Sequence, residues 1–412
     1  MAGIGIVGSG VAGLHLGLFL RAHDVPVTIY SDKDAQQVAE GRLLNTVAHH
    51  HHTLERERAL GVHHWDATEY GYVCHHHYVH GPGLRFQGDF EHPSNIIDYR
   101  LYLPRLMEDY EERGGKLVIV PAMEAEDVER ISADHDLMVV ASGRGSLGAM
   151  FGRRPEKSPY DKPQRRLHAG IYHGITYSEP KGVGFCLAPG HGELIELPIF
   201  SREGFADALL FETIPGGDLE ILADIRYDDD PALFERTVLQ KLEEHFPMVF
   251  ERVDPNDFQL MGPRDVLQGA LTPTVRQDWV RLGSGRYAIA VGDVHTVVDP
   301  VIGQGANAAS YSAWTVGEAI VSDLAYDERF CERVARDRDE RVMGISDWTN
   351  LMLNPPQHVI ELLMAMADNR VLCDAFTANW DRPERNLDAL ATPERTQAFM
   401  ARHAAGSEVA VA

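Results

Sequence analysis

Residues able to do chemistry fall into three groups, and the first is Gly8-Ser9-Gly10-Val11-Ala12-Gly13. In a Gly-x-Gly-x-x-Gly run the first glycine permits a tight turn, the second lets a pyrophosphate approach the backbone, and the third lets a helix pack closely on a strand. Free backbone N–H groups and the positive end of the helix dipole then bind the anion without any basic side chain. Asp32, just past the following strand, is placed to bind ribose hydroxyls. The second group is Gly292-Asp293, then Asp299-Pro300-Val301-Ile302-Gly303-Gln304-Gly305-Ala306-Asn307. Asp293, delivered by a buried strand, can accept a ribityl hydroxyl. Gly303 and Gly305 let the start of the next helix abut an isoalloxazine ring, whose negative charge on reduction the helix dipole favours. This second element separates a flavin adenine dinucleotide (FAD) site from a nicotinamide one, and it is the stronger signal.

The third group is His49-His50-His51-His52, with His63-His64 and His75-His76-His77. Imidazole is the commonest transition-metal ligand, but four consecutive histidines on a strand point to alternate faces. No carboxylate or cysteine falls at a recognised ligand spacing, so no metal site is expected. Asp228-Asp229-Asp230-Pro231 reads as ordinary capping of a helix start.

These groups need elements to position them. Ile4–Val7, Ala12–Ala22 and Val25–Tyr30 read as strand, helix and strand, a βαβ unit. Asn45–Asp89 is rich in His, Tyr, Gly and Val and reads as excursion strands and loops. A helix from Tyr99 to Arg113 leads into strand Lys116–Val120, and Leu137–Ala141 and Tyr287–Val291 are apolar runs typical of buried parallel strands. Ala169–Ile225 shows hairpin-spaced β stretches, which implies a separate antiparallel sheet. Pro231–Phe246 and Ala306–Leu324 are helical. Beyond Asp327 comes charged helix, punctuated by Pro355-Pro356 and Pro383 into at least three pieces that pack across both domains. The fold class is α/β, with an FAD-binding domain of Rossmann-like, glutathione reductase type made of residues 1–45, 95–165 and 275–330. A substrate-binding β-sheet domain takes 46–94 and 166–274, and C-terminal helices take 331–412.

Composition narrows the partners. A net charge of −24 repels phosphate backbones and anionic membranes, so neither nucleic acid nor membrane is expected. The 4 cysteines are scattered without a Cys-x-x-Cys pair, and the apolar start is broken by Gly8, Gly10, Gly13 and His15 with no basic leader. A cytoplasmic location is expected. Arg333, Arg336, Arg338 and Arg341 interleave with acids as on a solvated helix face, which would otherwise dock a reductase or a second copy in a homodimer.

Gly8–Gly13, Asp98-Tyr99-Arg100 opening a helix, and Gly292–Asn307 together resemble the para-hydroxybenzoate hydroxylase-like flavoprotein monooxygenases. Within that family, Leu14–Leu20, Arg42–His49 and Pro189–Glu196 resemble the epoxidase (oxygenase) component of styrene monooxygenases, nearly end to end. The resemblance implies that Arg42 lies near the flavin and Arg100 by the pyrophosphate, with Ser142 and Gly143 in the cofactor's surroundings. Pocket positions of the styrene type match Asn45, Val47, His49, Tyr72, His75 and Ser94, and Pro300 matches a ring-side contact. Leu44, Val301 and Ile302 are further wall candidates.

Gly143-Arg144-Gly145 and Gly283-Ser284-Gly285 imitate a second fingerprint. The first has too little chain after it for a crossover, and the second precedes a strand, as a hairpin turn does. No dedicated nicotinamide domain is evident. The resemblance then implies that reduced FAD comes from a separate NAD(P)H-dependent flavin reductase and reacts with the co-substrate O2 to a C4a-hydroperoxide that epoxidises styrene-like vinyl aromatics. Such chemistry needs a dry apolar pocket more than a protein nucleophile. The rival readings are an indole-preferring or single-component aromatic hydroxylase and, from another class, a non-catalytic flavin- or metal-binding protein. A halogenase is disfavoured, because none of the 5 tryptophans sits in a Trp-x-Trp-x-Ile-Pro segment.

Overall fold

The computed structural model describes residues 3–142, 146–323 and 325–404. Six strands form the first sheet, in the order Trp279–Arg281, Tyr287–Ala290, Leu137–Val140, Ile4–Val7, Val27–Ser31 and Lys116–Ile119. All neighbours are parallel except the edge pair, which runs antiparallel through the turn at Gly283-Ser284-Gly285. Strands Ile4–Val7 and Leu137–Val140 at its centre are apolar and fully buried because both faces of the sheet are covered there.

Helix Val11–Ala22 is buried on every side from Val11 to Leu20, so its apolar residues show no stripe. It is wedged among the sheet, helix Tyr99–Glu112 and helix Gly305–Ser322. The close approach needs Gly13, since a Cβ there would sit 1.9 Å from the carbonyl oxygen of Gly8.

The second sheet runs Gln259–Leu260, Arg166–His173, Gly204–Thr213, Gly192–Ser201, Gly182–Ala188, Gly71–Val79 and Leu84–Asn95, with Val266–Ala270 also pairing Arg166–His173. It is antiparallel except between Gly71–Val79 and Gly182–Ala188. One face packs on helix Pro231–His245 through Leu209, Phe211, Phe234 and Val238. As expected of a cap, the Asp230 side chain accepts from the N–H of Leu233.

The tail folds into helices Glu328–Leu353, Gln357–Asp368, Arg370–Ala378, Pro383–Leu390 and Pro393–Ala404. Their shared core holds Trp348, Phe376 and Trp380. Arg338 corrects the expected solvated face: it is fully buried, donating to the Asp278 carboxylate and to the carbonyl of Ala290 at the end of a sheet strand. A buried guanidinium is tolerable because both ends are paired. The histidine run is also not a strand. His49 makes one isolated bridge to Asn95, and His51 opens helix His51–Leu60. Among the described residues no helix is long and apolar enough to cross a membrane.

Candidate active site

A cavity of about 540 Å³ begins at the carboxyl ends of the parallel strands and runs to the free face of the antiparallel sheet. Ligand crevices of open α/β sheets lie at those strand ends. At one end Gly8, Ser9, Gly10, Val11, Ala12, Asp32 and Ser142 line it, and midway come Gly292, Asp293, Pro300, Gly303, Gly305 and Ala306. Helices Val11–Ala22 and Gly305–Ser322 both start at this wall, and neither has a side chain capping its first N–H groups. Those donors and both positive helix ends are left for a ligand. A Cβ on Gly10 or on Gly303 would meet nothing within 4 Å, so the backbone is bare to the cavity at both. A dinucleotide flavin fits this arrangement.

The far end is apolar. Val183 and Phe185, Ile195 and Leu197, and Leu210 line it, each pair two residues apart on one sheet face. Phe185 stands opposite Ile195, which stands opposite Leu210 on the next strand. Tyr72 and His75 line the cavity too, although an odd spacing sends residues of a regular strand to opposite faces. Here the register slips: Tyr72 pairs Ser94 but Cys74 pairs Asp89, and the irregularity re-aims the strand. Phe90, in the displaced stretch, packs its ring against both Tyr72 and His75. Trp380 closes this end from the tail, 4.5 Å from the His75 ring centre.

Two buried imidazole nitrogens in this wall, His50 Nε2 and His75 Nδ1, have no partner. Burial pushes the His50 ring down to about 3, and burial with neighbouring histidines pushes His75 well below the ordinary range, so both are neutral. His50 Nδ1 is hydrogen-bonded to Ser94 Oγ at 2.9 Å, and Ser94 also bonds Tyr72. The other nitrogen, Nε2, is buried without a partner among the described residues. Asn45 turns its Oδ1 to the N–H of Val47 at 3.3 Å, leaving Nδ2 to offer a ligand.

Of the expected substrate-side residues, Asn45, Val47, Tyr72, His75 and Pro300 line the cavity, as do Leu44 and Ile302. His49 does not: it binds Glu57 at 2.7 Å and the Tyr99 hydroxyl at 2.8 Å inside the first domain, and His50 takes its place. Ser94 lies behind His50 and Tyr72 rather than at the surface. Val301 turns into the helical core of the tail.

On the cofactor side, Gly13 packs under Gly8. Gln304 donates to the carbonyl of Trp380, and Asn307 joins the N–H of His50, the Thr53 hydroxyl and the carbonyl of Ala48, so both hold the wall together from behind. Arg42 is exposed, is paired with Asp228 and does not itself line the cavity. Arg100 is fully buried against Asp98 and Asp265 and likewise does not line it. Gly143 lies outside the described residues.

Sequence reasoning missed His50, Val183, Phe185, Ile195, Leu197, Leu210 and Trp380. The alternation Val183-x-Phe185 and Ile195-x-Leu197 could have flagged the sheet residues. Nothing local marks Trp380, which reaches the site only through tertiary packing.

Residues 143–252 match the family described as "Styrene monooxygenase A putative substrate binding domain". Styrene monooxygenase StyA of a Pseudomonas sp. and that of Pseudomonas fluorescens are each 46% identical over 398 residues, covering 95% of this chain and 96% of theirs. A solved flavoprotein/dehydrogenase from Cytophaga hutchinsonii superposes with a TM-score of 0.66 at 12% identity, over 98% of this chain and 99% of that one, a likeness of fold. By the extent and level of that identity, the chain belongs to the styrene monooxygenase StyA family.

Proposed function

We propose that this chain is the oxygenase of a two-component system, taking reduced FAD from a separate NAD(P)H-dependent flavin reductase and epoxidising styrene and related vinyl aromatics with O2. One observation carries the reading: a single cavity joins a dinucleotide cradle to an apolar sheet face. When bound, reduced FAD would supply the two electrons by which O2 gives one oxygen atom to the vinyl group and leaves the other as water. The chain's own residues have three tasks.

The first is to hold the dinucleotide, through the backbone at Gly8–Ala12 and the hydroxyl-binding carboxylates Asp32 and Asp293. The second is to keep the reacting end dry. Val183, Phe185, Ile195, Leu197, Leu210 and Trp380 present carbon, which suits an arene and leaves water few partners. The third is to place a few polar groups: the neutral imidazoles of His50 and His75 and the amide of Asn45 line the cavity and orient without adding charge. No general base is called for, since an alkene has no proton to remove in epoxidation.

The test is aerobic turnover of styrene and of indole with chemically reduced FAD, with NAD(P)H left out of one arm and products resolved on a chiral column. Styrene oxide is expected without nicotinamide. Turnover that requires NAD(P)H and no reductase would instead mark a single-component hydroxylase, and peroxide alone would sink the epoxidase reading.

A further inference from the structure

We propose that His51, His52 and Glu55 bind one divalent first-row transition-metal ion, at a site separate from the cavity that ties helix His51–Leu60 to the turn carrying Trp380. The fold reverses the argument drawn from the histidine run. On a helix, residues three and four apart share a face, so Glu55 meets both His51 and His52. His51 Nε2 lies 3.5 Å from Glu55 Oε1, and His52 Nδ1 lies 2.9 Å from Glu55 Oε2. The three ligand atoms lie within 4.8 Å of one another. Around one tetrahedral ion with bonds of about 2.0–2.2 Å, neighbouring ligand atoms stand about 3.3–3.6 Å apart, so side-chain rotations bring the three into one shell.

The surroundings hold the two imidazoles as ligands are held. His52 Nε2, the nitrogen turned away from Glu55, faces Asp381 Oδ2 at 3.3 Å, while the other oxygen of Asp381 accepts the His52 backbone N–H at 3.0 Å. A carboxylate behind a ligating histidine fixes its tautomer and raises its basicity. The His51 ring is stacked on His92 at 3.8 Å between centres. None of the three ligands lines the cavity. They are partly exposed, which leaves an entry path and positions for water. Two imidazoles and one carboxylate suit zinc, cobalt or nickel; magnesium and calcium prefer all-oxygen sites. Asp381 neighbours Trp380 in the chain, so an ion held here braces the turn that closes the cavity.

The test uses the full-length, tag-free chain stripped with a chelator, then titrated with Co(II), followed by visible absorbance, and with Zn(II), followed by equilibrium dialysis. One ion per chain is expected, lost in the His51→Ala/His52→Ala double variant and in Glu55→Gln, and weakened about tenfold or more in Asp381→Asn. His245→Ala, which breaks the second cluster of Asp218, Glu244 and His245, should leave this binding unchanged. Retained FAD binding reports that each variant is folded. No saturable binding of either ion by the parent chain, or binding that survives the double variant, overturns the proposal.

Discussion

Glu212 and Asp299 bring two carboxyls together in the wall beside Pro300, both fully buried. Among the described residues no other group donates to either oxygen of Glu212 or to Asp299 Oδ2, and the hydrogen bond between the two acids needs a proton that they share. Burial, then the charge of Asp299, pushes Glu212 well above the usual carboxyl range, and burial raises Asp299 as well. Between the unfolded carboxyl value and the raised folded one, the native state holds more protons, so this pair's contribution falls as pH rises through that window. Glu212→Gln keeps the hydrogen bond and removes the titration. Its stability relative to the parent should therefore climb steadily from about pH 4.5 upward, by up to about 1.4 kcal/mol per pH unit. Urea midpoints across pH 5–8 check this, and a constant difference would show that the two acids do not share a proton.

At the scale of elements, Arg100 joins the first turn of helix Tyr99–Glu112 to Asp265, just before strand Val266–Ala270, and so fastens the two sheets to each other. Arg100→Met would strand two buried carboxylates and should cost about 3–5 kcal/mol. If the residue is a fastener, FAD affinity in the folded protein stays within a few-fold; a large loss of affinity at unchanged stability would return Arg100 to the cofactor. The case also shows what a sequence can hold. Gly8–Gly13 was legible because strand, turn and helix are adjacent, and each glycine answers a local demand of the backbone. Val183, Phe185, Ile195 and Leu197 were legible as strands but not as pocket, since alternation says which residues share a face and not what that face meets. The position of Arg100 depends on Asp265, far along the chain, and Arg338 was hidden among solvated charges by the same lack of local signal. The histidine run, expected on a strand, instead starts a helix at His51 that no glycine or proline announces.

Across the whole molecule, the cavity is a seam. Its floor comes from one sheet, its nucleotide end from the other, and its far wall from Trp380, which reaches in from the tail and donates its indole N–H to the carbonyl of Ile302. Trp380→Ala should lower stability by about 3–5 kcal/mol and open the apolar end to water. The expected signature is more hydrogen peroxide per epoxide formed, measured at equal reduced FAD, together with a lower urea midpoint. An unchanged peroxide ratio would mean that Trp380 is ordinary core.

Residues as early as Gly8 and as late as Trp380 meet around one space, and this fixes when in its own making the protein becomes competent. A chain leaving the ribosome folds its early elements first, so the cradle strands exist long before the last wall does. Until the chain has emerged past Trp380, the nascent molecule offers an open trough, and a message cut short before Trp380 would yield a protein with a nucleotide cradle and no closed chamber.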